Sequence, residues 1–306
     1  MSFIGNLSPE LEARLHRVYA RTEAQKAEEK NRVAQQPAAT APIQDNKGAD
    51  HDIEVRDVSL GSIEPGKLES YIILPAGNYG KRDYPELLIG INRISYTDKR
   101  VQNAVKKLYP QQQFSDNDQG FIGGINHQQA LDITKEIGGF TLSVLLEREF
   151  LRHLNKGIND RNYHVYNGKG DRIRSDVLQS VNNEIIEVRN PWRSEWNADR
   201  FSENNGEMQV TTYIFDNRKF KEVTESLGDY LAKNKQISYG DWLNRAAKHG
   251  LPLSGCKNGE FYFWIPINGR VARFSTGSGR AGLDCGWSPL SSSNSSLGVR
   301  EAREKI

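Results

Sequence analysis

Arg273-Phe-Ser-Thr-Gly-Ser-Gly-Arg-Ala-Gly-Leu-Asp-Cys-Gly-Trp-Ser-Pro-Leu-Ser-Ser-Ser-Asn-Ser-Ser-Leu-Gly-Val-Arg-Glu-Ala-Arg303 is a run of small polar residues carrying a single Trp. Stiffer segments bound it. Glu260-Phe-Tyr-Phe-Trp-Ile-Pro266 lies upstream, and Leu297-Gly-Val-Arg-Glu-Ala-Arg303 closes it. Both read as strands, because aromatic and β-branched side chains suit a pleated surface. The expectation is a polar loop between strands, which is the layout of a binding site on a rigid frame.

Working outward, the whole chain limits what such a loop could serve. Its 306 residues can bury a substantial core. Lys and Arg number 41 and Asp and Glu 39, a net charge of +2, so charge points neither to nucleic acid nor to an anionic membrane. The two cysteines, Cys256 and Cys285, have no CxxC spacing, and the histidines form no HExxH group, so no metal or other cofactor is expected. Two buried free thiols, or one bridge in an oxidising compartment, both fit those cysteines. No leader and no apolar run near the roughly 20 residues of a membrane helix is visible. The chain is therefore expected to be soluble, without membrane insertion, and either virion-associated or cytoplasmic.

In chain order, Ser8-Pro-Glu-Leu starts a helix, with Leu11, Leu15 and Val18 on one side. This arm, residues 1–36, has a short apolar stripe, and both self-association and a solvated arm are open to it. Residues 37–51 have linker composition. A domain over 52–306 follows, with extended segments at 53–58, Tyr71–Pro75 and Glu86–Ser95. Helices are predicted over Asp98–Leu108, His127–Ile137 capped by Asn126, and Val144–Leu154 capped by Thr141 or Ser143. Glu184–Val188 reads as a strand and Met208–Phe215 as an exposed hairpin strand. Phe220–Leu231 and Tyr239–His249 read as helices. The order is α+β rather than alternating βαβ.

Catalytic motifs do not emerge. There is no Walker loop, no GxSxG elbow, and no GxGxxG between a strand and a helix. Asn167-Gly-Lys-Gly-Asp171 reads as a plain turn, and His127 and His153 read as helix-capping or partly exposed residues rather than catalysts. Arg189-Asn-Pro-Trp-Arg-Ser-Glu-Trp196 reads as a structural turn in which Arg189 or Arg193 pairs with Glu195 or Asp199. The same residues could also stack a sugar or base. What remains is the Ser, Gly and Asn composition of an adaptable recognition surface, with Trp287 as its rigid anchor.

From Val271-Ala-Arg-Phe274 through Ser296-Leu-Gly-Val-Arg-Glu-Ala302 the chain resembles the variable proteins of diversity-generating retroelements. Their C-terminal region has a C-type-lectin fold of the formylglycine-generating-enzyme branch. The branch's last strand reads Gly-Phe-Arg, where this chain has Gly298-Val-Arg300. The resemblance implies an α+β, C-type-lectin-like domain behind the helix and linker, with a variable region at about 273–303. In such systems template adenines are randomised, mostly in Asn codons that cannot yield Lys, Glu, Gln, Met or Trp. None of the first four occurs from Ser275 to Arg300, and Trp287 is either invariant or drawn from another codon.

On that resemblance the exposed, replaceable ligand-binding positions would be Ser275, Thr276, Gly279, Gly282, Asp284, Gly286, Ser288, Leu290, Ser291 and Ser293, with Trp287 among them as the anchor. Arg273, Ala281, Leu283, Cys285, Gly298, Val299 and Arg300 would be frame. The implied function is non-catalytic binding of a protein or cell-surface ligand, consistent with a virion receptor-binding role. Two alternatives stand beside it: an oxidoreductase of the formylglycine-generating type, although only Cys285 of the branch's cysteine pair lies in this stretch, and a viral structural or assembly protein with no diversified site.

Overall fold

The computed structural model describes residues 65–216 and 219–305. The predicted arm over 1–36, the linker over 37–51 and the extended segment at 53–58 lie outside them. After a 3-10 turn at Pro65–Ser70 come β1 (Tyr71–Leu74), β2 (Gly77–Tyr79), β3 (Arg82–Tyr84), β4 (Leu87–Gly90), α1 (Lys99–Leu108), α2 (His127–Glu136), β5 (Phe140–Thr141), α3 (Val144–Asn159) and α4 (Ser175–Ile186). Then follow β6 (Arg193–Asn204), β7 (Glu207–Asp216), β8 (Lys219–Ser226), β9 (Lys235–Ile237), α5 (Tyr239–Asn244), β10 (Phe261–Trp264), β11 (Arg270–Thr276), β12 (Ala281–Pro289), β13 (Leu297–Gly298) and β14 (Glu301–Glu304). The class is α+β.

Three helices begin where their polar caps dictate. Asp98 accepts the N–H of Arg100 at 2.9 Å, and Asn126 and Gln129 form a reciprocal capping box. Ser143, not Thr141, caps α3 by accepting the N–H of Leu146 at 3.3 Å. The helix then runs to Asn159, five residues beyond the predicted end at Leu154. Conversely, α5 stops at Asn244, short of the predicted His249. There Ala246 bridges Pro252 and the chain turns at Gly250, whose φ is +82°.

Two predicted elements change type. Of Glu184–Val188, expected as a strand, Glu184–Ile186 form the end of α4, Glu187 is its C-cap and Val188 follows it. Leu178, Val181, Asn182 and Ile185 fall at helical spacing and are buried together, which overrides the local β-branched run. Phe220–Leu231, expected as a helix, begins instead as β8, paired residue for residue with β7 from Gln209↔Ser226 to Asp216↔Lys219. Cross-strand partners hold it there: Thr211 and Thr224 share a hydroxyl hydrogen bond of 2.8 Å, and Phe215 meets Phe220 edge to face.

The strands form a sheet in the order β1-β4-β14-β5, a larger one in the order β8-β7-β6-β11-β12-β10-β9 with β13 beside β6, and the β2-β3 hairpin. In the larger sheet β10 runs parallel to β12, and β13 parallel to β6. Alternation along β11 sends Ala272 and Phe274 to one face and Val271 to the other. The first face joins Phe150, Leu151, Leu154, Trp242, Phe261, Phe263 and Leu283 in the main core. The second packs Val271 and Trp196 against Ile94, Val101, Ile125, Ile133, Leu297 and Val299. The middle of this sheet is thus covered on both sides, and the polar stretch between 273 and 303 is not a loop but its central hairpin.

Candidate ligand-binding face

β11 and β12 pair in register from Thr276↔Ala281 to Arg273↔Asp284, and the register resumes at Val271↔Ser288. Ala272 therefore stands opposite Cys285, Gly286 and Trp287, a bulge that bends the strand. The strand β6, on the other side of β11, shifts at the same place, from Trp196 to Arg200. Asp284 organises the bulge. One carboxylate oxygen accepts from Arg273 Nε at 2.9 Å, and the other accepts the backbone N–H groups of Gly286 at 3.1 Å and Trp287 at 3.0 Å. The consequence is that Trp287 stands 69 % exposed on a strand whose residues from Ala281 to Gly286 are all buried.

Of the positions expected to face ligand, Gly279, Trp287, Leu290, Ser291 and Ser293 are exposed, and Ser275 is half-buried. The expected exposure does not hold for Thr276, Gly282, Asp284, Gly286 and Ser288, which are buried. Thr276 donates its hydroxyl to the Arg193 carbonyl at 3.3 Å. A Cβ on Gly282 would lie 2.1 Å from the Tyr262 carbonyl oxygen, and one on Gly286 2.6 Å from that of Ile265. Asp284 is the pin just described, and Ser288 sits against Val271. The exposed positions also separate into two groups. Gly279 tips the β11–β12 turn, whereas Trp287 stands near the far end of β12 and Leu290 to Ser293 follow it, separated from the turn by the five β11 steps from Thr276 to Val271, about 17 Å at about 3.3 Å per residue.

The predicted frame residues Ala281, Leu283, Cys285, Gly298, Val299 and Arg300 are buried, and Arg273 is tied to Asp284. Arg300 is the centre of a network that sequence reading did not anticipate. Its guanidinium donates to Glu195 at 2.8 Å, to Glu184 at 2.9 Å and to the carbonyls of Gly90 and Ile91. Arg93 and Arg193 also reach Glu184. Burial opposes the charge on Glu184, but Arg300, Arg93 and Arg193 outweigh it and hold the carboxyl down to about 2. The segment Arg189–Trp196, expected as a structural turn, runs into β6 at Arg193, and there Trp196 is buried with its Nε1 donating to the Ile125 carbonyl at 3.1 Å. Arg193 pairs with Glu184, not with Glu195 or Asp199 as expected.

Groups that could do chemistry are buried elsewhere. Cys256 and Cys285 are free thiols, and burial raises the pKa of both, which favours the unreactive thiol. His127 and His153 are buried, not partly exposed, and burial lowers each to about 4. Burial pushes Asp199 up to about 7, but the cavity it shares with Tyr84, Ser143, Thr212 and His249 measures about 10 Å³, room for no more than one water. Burial, reinforced by Glu195, likewise raises Glu147 on α3, whose carboxyl oxygens meet no hydrogen-bond partner among the described residues. Among the described residues no cluster of three or more His, Cys, Asp or Glu has the arrangement of a metal site, and no helix is long and apolar enough to cross a membrane.

A second feature missed in sequence lies at the near end of the hairpin. Tyr262 and Trp264 project from β10 with ring centroids 4.3 Å apart, and Arg280 stacks over Tyr262 at 4.8 Å. The alternation Phe261-Tyr262-Phe263-Trp264 was its visible signal, since only Phe261 and Phe263 enter the core. Compared with family models, curated proteins and solved structures, the chain gives no match.

Proposed function

We propose that this is a non-catalytic binding protein that presents a diversified C-terminal surface to a protein or cell-surface ligand, on a C-type-lectin-like scaffold of the formylglycine-generating-enzyme branch. The observation that carries the reading is Trp287. A large ring exposed to 69 % on an otherwise buried strand, fixed by Asp284 and followed by exposed Leu290, Ser291 and Ser293, is a rigid anchor beside adaptable positions. Burial of Gly298-Val299-Arg300 around the Glu184 and Glu195 carboxylates supports the scaffold, as does the placement of the last strand, β14, between β4 and β5.

The diversified set is narrower than the sequence implied. It comprises Gly279, Leu290, Ser291 and Ser293, with Ser275 at its margin and Trp287 as the anchor. An oxidoreductase would need a reactive thiolate, and burial works against one at both cysteines.

Sequencing many natural copies of the gene with their neighbouring DNA tests the proposal. The expected result is a near-repeat of the segment encoding residues 270–303, beside a reverse-transcriptase gene, with substitutions at codons 279, 290, 291 and 293. A segment identical in every copy, with no near-repeat, overturns the reading and leaves the assembly protein.

A further inference from the structure

The face of β10, β12 and β11 opposite the main core carries a band of aromatic and charged side chains, remote from Trp287. Two rows cross it: Tyr262, Gly282 and Ser275, then Trp264, Asp284 and Arg273. The other face of the same strands holds Phe261, Phe263, Leu283 and Phe274 in the core, so alternation turns Tyr262 and Trp264 outward. Gly282 lets the rings spread. A Cβ there would lie 2.7 Å from the Trp264 ring, so the indole covers β12 as well as its own strand. Beyond Arg273, the Trp192 ring lies 5.7 Å from its guanidinium.

The charges on this band are unequal. Arg273 is neutralised by Asp284 at 2.9 Å. Arg280 is exposed and forms no ion pair among the described residues, yet it is held 4.8 Å above the Tyr262 ring and 6.0 Å from that of Trp264. Stacking on the ring leaves the edge of the guanidinium open to a planar anion, which it can meet with two parallel hydrogen bonds. The half-buried Trp264 ring remains beside it.

We propose that this band binds a carboxylate-bearing sugar. The apolar C–H face of a pyranose ring covers Trp264, beside the Tyr262 ring that carries Arg280, while its carboxylate receives two N–H groups from Arg280. One uncompensated cation matches one anion per sugar. A nucleic-acid strand would require a track of cations along its phosphates, whereas of the two arginines in this band Arg273 is paired with Asp284 and Arg280 alone has no ion pair among the described residues. An acidic peptide side chain would satisfy Arg280 but bring no flat apolar ring to the aromatic pair. The site shares the near end of the hairpin with Ser275 and Gly279, and it is separate from Trp287 and the Leu290–Ser293 segment at the far end of β12.

The test is isothermal titration of the full chain with glucuronate-terminated oligosaccharides and their glucose-terminated counterparts. The acidic sugar is expected to bind at least about tenfold more tightly than the neutral one. Arg280→Ala, at an exposed position, and Trp264→Leu should each weaken it by a similar factor, Arg280→Lys should recover only part, and Trp287→Ala should leave it unchanged. Circular dichroism and the unfolding midpoint establish that each variant is folded. No binding of the acidic sugar, equal binding of the neutral one, an unaffected Arg280→Ala variant, or preferential binding of an acidic peptide would each overturn the proposal.

Discussion

Arg273 and Asp284 face each other across β11 and β12, and their pairing is the hinge on which the exposed Trp287 depends. While one oxygen of Asp284 holds Arg273, the other holds two successive backbone N–H groups of the bulge. A residue that composition would assign to a replaceable loop is therefore part of the frame.

Asp284→Ala should lower stability by about 3 kcal/mol, because it leaves one buried and one part-buried N–H group and a guanidinium without their acceptor. Asp284→Asn keeps an acceptor for the N–H groups but loses the charge, and should cost about half as much. Urea unfolding midpoints measure both, and a wild-type midpoint for Asp284→Ala would show that the bulge holds itself.

Two glycines of the same hairpin should behave oppositely. At Gly282 a Cβ would meet the Tyr262 carbonyl, whereas at Gly279 no atom of the described residues beyond its chain neighbours would lie within 4 Å of one. Gly282→Ala is expected to cost more than about 2 kcal/mol by forcing β10 from β12, and Gly279→Ser less than about 0.5 kcal/mol. Thermal unfolding of the two variants decides it.

Arg300→Met should cost about 4 kcal/mol, since the buried Glu195 and the half-buried Glu184 would both lose the cation between them. Arg300→Lys should restore only part of the loss, because a single ammonium cannot reproduce the guanidinium fork that meets Glu195 and the Gly90 carbonyl together. Equal stability of the Lys variant and wild type would contradict the role assigned to that fork.

The buried titrating groups set opposing pH trends. For Asp199 the folded pKa, about 7, lies above the unfolded value near 3.8, so the unfolded state gives up its proton first and stability falls as pH rises from about 4 to about 7. His127 and His153, lowered to about 4 from 6.5, act the other way, adding stability as pH rises from about 4 to 6.5. Asp199→Asn removes only the falling component. Relative to wild type it should gain about 3 kcal/mol between pH 5 and pH 8 in denaturant titrations, and an unchanged difference would contradict a buried, raised carboxyl.

Much of the fold is legible where the signal is local. Asp98, Asn126 with Gln129, and Ser143 mark helix starts by hydrogen bonds within three residues. Legibility fails where distant pairing decides. Phe220 to Ser226 become a strand because β7 lies beside them, and Glu184-Ile-Ile is helical because Leu178 and Val181 share its buried side. Within the candidate site, Trp287 and the Leu290–Ser293 segment could be read as exposed. The role of Gly282 and Gly286 could not, because a glycine needed for close strand approach has the same composition as one in a loop. Nor could the ion network, since Arg93, Glu184, Glu195 and Arg300 come from widely separated parts of the chain.

The central claim is that this hairpin separates a replaceable surface from a fixed frame. The most direct measurement is the fraction of protease-resistant members in two displayed libraries of the full chain. One is randomised at 279, 290, 291 and 293, with Trp287 kept, and the other at 276, 282, 284, 286 and 288. The account predicts that most members of the first library fold and that selection yields binders to protein targets, whereas few members of the second fold. Equal folded fractions, or a first library that folds without yielding binders, would contradict it.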